Sequence, residues 1–197
     1  MTGSRRGRHA VAAALGGLLL VGCGGGGTGG RPGQAAVDWR NTTYTLTCDG
    51  VLPGGFGAAV VDGRARVPAD ADRPPYYDHY DVRVVATASG DLDGDRAADT
   101  AVLLECSPQP SNGIVQEVPV LSSSGAPLGT LPSPRTLQGD APLPPVYDPD
   151  GLAIDGGEIV AAMTAYAPGD SHASGPSVPF TARWRLDGER FVRVPAA

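Results

Sequence analysis

Four carboxylates crowd into nine residues at Asp91, Asp93, Asp95 and Asp99, in the run GDLDGDRAADTAVLL from Gly90 to Leu104. Charges this close repel. Either some of these groups hold a proton above the ordinary carboxylate range, or a cation binds among them. Alternate Asp residues at loop positions 1, 3 and 5, with a fourth at 9, turn inward when a loop curls around an ion. Hard oxygen ligands on a flexible loop suit Ca²⁺. The competing reading is a solvated, ion-free Asp/Gly-rich connection between two strands. Two histidines outside the first 23 residues could do acid–base work. His79 sits among aromatics and carboxylates in Tyr76-Tyr77-Asp78-His79-Tyr80-Asp81, and His172 ends Asp170-Ser171-His172. The first cluster reads more simply as the start of a strand. The second sets nucleophile, base and acid types side by side, whereas a working triad is assembled in space from distant positions. There is neither a G-x-S-x-G elbow nor a phosphate-binding P-loop in the chain.

The loop must be held by its flanks. Asp81 to Ala88 precedes it and Ala101 to Cys106 follows it, both with strand character. It is not an EF-hand, because position 12 is Val102 where that loop needs Glu, and no helix flanks it. It resembles the calcium loop of FG-GAP or VCBS-type β repeats, which joins two antiparallel strands and reads D-x-[DN]-G-D-G-x-x-D before an apolar strand. Asp91, Asp93, Gly94, Asp95, Asp99 and Ala101-Val102-Leu103 match. Arg96 stands where that family has its second Gly, a position that needs an unusual backbone angle, which Arg adopts at a cost. The resemblance covers about fifteen residues in one copy. It implies a calcium loop with Kd of roughly 10⁻⁴ to 10⁻³ M, as in extracellular modules, and not a propeller. An Arg96 guanidinium pairing with an Asp would substitute for part of an ion.

The chain has 197 residues, with 29 Gly and 19 Pro, which weighs against long helices. Charged residues are 18 % and hydrophobic residues 41 %, a globular composition. All fifteen basic residues are Arg. A net charge of −6 argues against nucleic-acid binding.

Residues 1–22 read as a signal peptide. Arg5, Arg6 and Arg8 precede the apolar run Ala10 to Val21, too short to cross a bilayer. Leu20-Val21-Gly22-Cys23 then resembles a bacterial lipobox. The resemblance implies that Cys23 carries a diacylglyceryl group and becomes the N-terminus, with palmitate-type acylation, on the outer face of the cell membrane. Two chains hold a protein stably where one does not. The competing reading is an ordinary secretory leader with a chance Cys. Residues 24–36, more than half Gly, form a flexible tether of about 20 Å r.m.s. span. Losing Arg5, Arg6 and Arg8 takes the formal charge from −6 to −9, which an anionic surface repels, leaving lipid as the anchor. With Cys23 acylated, Cys48 and Cys106 remain in an oxidising compartment and are expected to bridge. The loop so closed spans 58 residues, for which the chain-entropy model gives roughly 4 kcal/mol. Two buried free thiols are the alternative.

From residue 37 to 197 the chain reads as one mainly β domain of antiparallel hairpins, forming a sandwich or an open barrel. Hairpins are expected at Ala58 to Val67 around Asp62-Gly63-Arg64, at Gly151 to Tyr166 around Asp155-Gly156-Gly157, and at Phe180 to Val194 around Asp187-Gly188. Ile114 to Leu121 and Pro127 to Leu131 make a weaker one, with Pro119 marking an edge strand. Phe180, Ala182, Trp184 and Leu186 alternate with polar residues, as in a half-exposed sheet. Trp39 and Trp184 read as core. Pro-rich stretches at Pro68 to Pro75 and Pro132 to Pro149 read as long loops, a place where function concentrates.

More loosely, the order of DWRNTTY, a Cys, GDLDGD, a second Cys and RWRLDGERF resembles actinobacterial lipoproteins. That resemblance implies no activity. Two functions compete. One is a monomeric, lipid-anchored, non-catalytic β module that binds an envelope protein or glycan or supports an envelope complex. The other is a cell-envelope hydrolase using His79 or His172 with nearby carboxylates. Replacing the anchor residue tests the address: Cys23→Ala is expected to leave the leader uncleaved or release the protein to the soluble fraction. Intact mass and fractionation read this, and a variant that is processed and stays on the membrane overturns lipidation at Cys23.

Overall fold

In the computed structural model, residues 37–195 are described except 71, 73 and 75. The leader, Cys23 and the tether lie outside them. Twelve strands run in chain order among the described residues: β1 (Thr43–Leu46), β2 (Phe56–Ala59), β3 (Arg64–Pro68), β4 (His79–Gly90), β5 (Asp99–Gln109), β6 (Val115–Glu117), β7 (Pro119–Leu121), β8 (Pro127–Thr130), β9 (Val146–Asp155), β10 (Glu158–Ala165), β11 (Val178–Asp187) and β12 (Arg190–Arg193), with one 3₁₀ turn at Pro134–Leu137. No helix among the described residues is long and apolar enough to cross a membrane. All named pairings are antiparallel.

The architecture is a β sandwich with a small third layer. β9 to β12 form a four-stranded meander, β3-β4-β5-β7-β8 form the large sheet with β6 also on β5, and β1 and β2 pair by themselves. One apolar cluster fills the space between the large sheet and the meander, with Leu103, Val120, Ile159, Met163 and Trp184 among its fully buried members. A second lies between the large sheet and the β1–β2 hairpin, with Tyr44, Leu46, Val102, Leu104 and Cys106. Each such side chain contributes about 1.5–3 kcal/mol by leaving water.

The clusters meet at β5. Ala101 and Leu103 face one, Val102, Leu104 and Cys106 the other. This is why Ala101 to Leu104 is uninterrupted apolar sequence: the strand is wet on neither side. Its neighbour β4 reaches both clusters by another route. Tyr80, Val82 and Val84 face the second cluster, but Ala86 and Ala88 face the first. Simple alternation would put all five on one side. The register breaks between Val84 and Ala86, and one extra residue flips everything beyond it to the other face.

Asp-Gly turns were the most legible signals, and two hairpins stand where they are expected. β9 joins β10 through Gly156 and Gly157, both with positive φ, and β11 joins β12 through Gly188. The alternating face of β11 packs Ala182 and Trp184 into the core, with Phe180 and Leu186 half-buried beside them.

Three expectations are corrected. Asp62 and Gly63 do make a tight turn, with φ of 51° and 80°, but it closes only the bridge between Val61 and Arg64. β2 then goes to β1 and β3 to β4, so this is a corner between sheets and not a hairpin. Arg40 holds it, donating to the Asp62 carbonyl at 2.7 Å and accepting from Gly63 N–H. Second, Ile114 to Leu121 is two strands, and Pro119 does not mark an edge: β7 lies between β5 and β8. Proline is tolerated there because it opens the strand, at the break after β6. Third, residues 146–149 belong to β9, not to a loop.

Cys48 and Cys106 form a disulfide with Cα atoms 5.5 Å apart, tying the end of β1 to β5. At the opposite end of β5's partner, Gly90 passes close against the meander. A Cβ there would lie 2.5 Å from Ile154 Cγ2 and 2.9 Å from its Cβ. Ile is β-branched and cannot swing aside. Gly90→Ala is therefore expected to destabilise the fold by about 1–3 kcal/mol, read by chemical denaturation. Wild-type stability would show that the two sheets can part at this end.

Candidate functional site

The Asp loop spans the turn between β4 and β5, where Gly90 pairs with Asp99. It is pinned from inside. Leu92 is buried in the inter-sheet core, and its N–H donates to Asp99 Oδ2 at 2.9 Å. The remaining acids fold the loop around themselves. Asp91 accepts from Gly94 N–H at 2.7 Å through one oxygen and from Arg96 N–H at 3.0 Å through the other. Asp93 accepts from Asp95 N–H, and Asp95 from Ala97 N–H. Such side-chain-to-backbone bonds are what Asp offers a turn. Arg96 has φ = 68°, the left-handed angle expected at the position where the resembling loop has Gly.

The four acids do not act alike. Asp91, Asp93 and Asp99 bring carboxylate oxygens within 4.8 Å of one another, an arrangement that could hold a metal ion. Asp95 is outside this group and caps Ala97 instead. The Arg96 guanidinium forms no ion pair with any of them, so it does not take an ion's place. Asp99 is 1 % exposed. Burial pushes its carboxyl above the ordinary value; the charges of Asp93 and Asp95 add to this, and the Leu92 and Ser123 amides oppose it.

The candidate catalytic residues are not assembled. His79 opens β4 with Nε2 3.5 Å from Asp81, but Asp81 is held by Arg66 through two bonds at 2.8 and 3.1 Å. Its neighbour Tyr80 is core, stacked on Phe56 at 4.8 Å between centroids. Asp170 accepts from Ala167 N–H and the Ser177 hydroxyl, and Ser171 bonds Ser174. The Asp170-Ser171-His172 run thus closes its own loop. His172 lies exposed on the rim of a cleft.

That cleft belongs to a site not anticipated from sequence. Two concavities, of about 360 and 470 Å³, share Asp49, Gln116, Pro134 and Arg135 as a common wall. Arg135 Nε donates to Asp49 Oδ2 at 3.0 Å across 86 residues of sequence. The Asp49 side chain is only 5 % exposed. It is delivered by two consecutive left-handed residues, Cys48 at φ = 49° and Asp49 at φ = 53°, a costly conformation outside Gly. The disulfide fixes one side of it. Glu117 fixes the other, accepting from the amides of Thr47 and Asp49 and from the Thr47 hydroxyl. Arg135 rides on the 3₁₀ turn, whose cap Ser133 accepts its N–H. Gln116 Oε1 accepts from Tyr147 N–H at 2.7 Å, joining β6 to the start of β9. The available signal was the long Pro-rich stretch from Pro132, which supplies Arg135 and Tyr147.

The Asp99 shift yields a pH prediction. A folded carboxyl with a raised value keeps its proton where the unfolded one has lost it. Its stabilisation is complete below the ordinary carboxylate range near 3.8 and is lost as pH rises through the folded value. Asp81 and Asp170 are held low, by Arg66 and by the Ala167 amide respectively, and act in the opposite sense. In chelator, Asp99→Asn is expected to gain stability relative to wild type as pH rises from 3.5 to 7, read by paired thermal melts. A difference independent of pH would mean that Asp99 does not titrate differently in the fold.

No protein-family model, curated protein or solved structure matches the chain.

Proposed function

We propose that this protein is a lipid-anchored, extracytoplasmic binding module, monomeric and non-catalytic. Diacylglycerol on Cys23 holds it to the outer face of the cell membrane, and Ca²⁺ on Asp91, Asp93 and Asp99 stiffens its β4–β5 turn. The observation that carries the binding reading is the shared wall of the two clefts. Polar groups are fixed there by strands, a disulfide and an ion pair whose carboxylate is buried and whose guanidinium is exposed, a preformed arrangement of the kind ligand sites use. A hydrolase reading through His79 or His172 has less support. Asp81 is committed to Arg66, and Asp170 and Ser171 are committed to their own loop. The partner this reading favours is an envelope protein or glycan.

The calcium part rests on three carboxylates within 4.8 Å and, among the described residues, no cationic side chain pairing with them. Their amide bonds leave lone pairs free on each, since a carboxylate oxygen accepts more than once. The leader reading supports this, since export would place the loop in an oxidising, extracytoplasmic space.

A thermal melt of the full-length protein across a calcium titration tests this. Binding at ten times Kd stabilises the fold by about 1.4 kcal/mol. A calcium-specific rise, absent with Mg²⁺ and lost in Asp91→Asn but retained in Asp95→Asn, is the expected result. No shift up to 10 mM removes calcium from the reading and leaves a self-capped turn.

A further inference from the structure

The ladder between β7 and β8 stops with one of its bonds unreturned. Leu131 N–H donates to the Val118 carbonyl at 2.9 Å, but Val118 N–H finds no acceptor among the described residues. Past Leu131 the chain leaves the sheet through Pro132, and the cleft of about 360 Å³ opens between residues 132–135 and β6. Val118 lines it and is 1 % exposed. A buried N–H without an acceptor is rare in a folded protein.

That last bond fixes the direction of the backbone groups along β6. The Val118 carbonyl points to Leu131, away from β5. β6 and β7 keep a single register against β5, and the bonding side of an extended strand alternates residue by residue. Val115 and Glu117 therefore bond to β5, while Gln116 turns its N–H and C=O outward with Val118. A trans peptide sets the Ile114 carbonyl opposite to Val115 N–H, so it also points outward. β6 pairs with β5 alone, and no described group bonds to any of these outward atoms. The open row is Ile114 C=O, Gln116 N–H, Gln116 C=O and Val118 N–H. Ile114 is exposed to water, but Gln116 is only 9 % exposed.

Acceptor, donor, acceptor, donor, repeating at the two-residue period of a strand, about 6.8 Å, is what a neighbouring β-strand meets. The orientation is decided at Val118. An antiparallel strand needs the Val118 carbonyl, which Leu131 already occupies, and leaves Val118 N–H unmet. A parallel strand meets all four groups with two of its residues, each donating to one carbonyl and accepting from the next N–H. A second folded copy does not reach this row. Its own β6 is equally recessed behind residues 132–135, and strands pair at about 4.8 Å. We propose that the β6 edge binds an unstructured segment of an envelope protein as one parallel strand, a first residue bonding Ile114 and Gln116 and the second residue after it bonding Gln116 and Val118. At the Ile114 end, Leu143, Pro144 and Pro145 line the wider cleft of about 470 Å³, which suits apolar side chains there. Main-chain bonds supply the affinity and such walls the selectivity. This rests on the binding-module reading and names its partner.

A library of end-capped random heptapeptides without proline, selected on the full-length protein in detergent, supplies the probe. The tightest peptide is then N-methylated one residue at a time. Two positions, separated by one residue, are expected to lose at least tenfold in affinity, and the residue between them to lose none, because its N–H points away from β6. Amide exchange at Gln116 is expected to slow in the complex, with Val115 and Glu117 unchanged. Gln116→Pro deletes an outward N–H and spares the β5 ladder. It should bind at least tenfold more weakly than Gln116→Ala, which loses the side chain but keeps the N–H. If Gln116→Pro does not fold, the N-methyl scan decides alone. The proposal is overturned if no peptide binds, if N-methylation weakens binding at adjacent positions or at none, or if Gln116 exchange is unchanged by the peptide. Slow exchange at Gln116 in the free protein also overturns it, since the row is then already paired. Cleavage of the bound peptide would sink the non-catalytic reading and uphold the edge. Absence of any binder sinks the edge alone.

Discussion

Everything in this fold hangs on one strand whose first six residues are all buried. β5 is covered on one face by the meander and on the other by the β1–β2 hairpin. From Ala101 to Leu104 its consecutive residues therefore belong to different cores and are apolar, while Glu105 and Ser107 beyond them are only half-buried. The ends are where the chemistry begins. Asp99 opens β5 and closes the acid loop, while Cys106 near its other end carries the disulfide. β6, paired to the same half, brings Gln116 and Glu117 under the cleft. A double-sided strand also explains the bulge in β4. A neighbour of β5 that must contribute to both cores has to change phase once along its length, and the extra residue between Val84 and Ala86 does that.

The protein handles crowded acid in two ways. In the loop, backbone amides do most of the work: Asp91, Asp93 and Asp95 each bend the chain to collect N–H groups. Those bonds organise the turn but bring no positive charge, so the repulsion among Asp91, Asp93 and Asp99 stays, and burial raises the Asp99 carboxyl. In the cleft, a guanidinium from far along the chain meets Asp49 directly. The first arrangement leaves charge to be compensated from outside. The second is compensated internally and leaves directional hydrogen-bonding capacity instead.

Local chemistry was legible in the sequence where local chemistry decides. Asp155-Gly156-Gly157 and Asp187-Gly188 turn the chain because few other residues accept those angles, and the hairpins follow. The strand–loop–strand around Gly90 to Leu104 and the alternating face of β11 were readable for the same reason. The Cys48–Cys106 pairing followed from counting thiols. What was hidden depends on partners distant in sequence. The Asp62-Gly63 turn is a corner because β2 finds β1, and no property of residues 58 to 67 says so. Pro119 looked like an edge because the break between β6 and β7 has no signature of its own. Asp95 matches the calcium pattern as well as Asp93 does, yet its oxygen goes to Ala97. Asp49 and Arg135 stand 86 residues apart, and nothing near either marks the other.

The disulfide has a mechanical meaning as well. A pull applied to the chain ahead of residue 37 enters the domain through β1, in a two-stranded sheet that could otherwise peel away. At Cys48 the load crosses a covalent bond to Cys106, in the strand that both cores grip. Residues 49–105 are bypassed, including β2, β3, β4 and the acid loop. Tension on that end of the chain would therefore be carried past the loop and not through it, and the β4–β5 turn would keep its shape under a force that strained its neighbours.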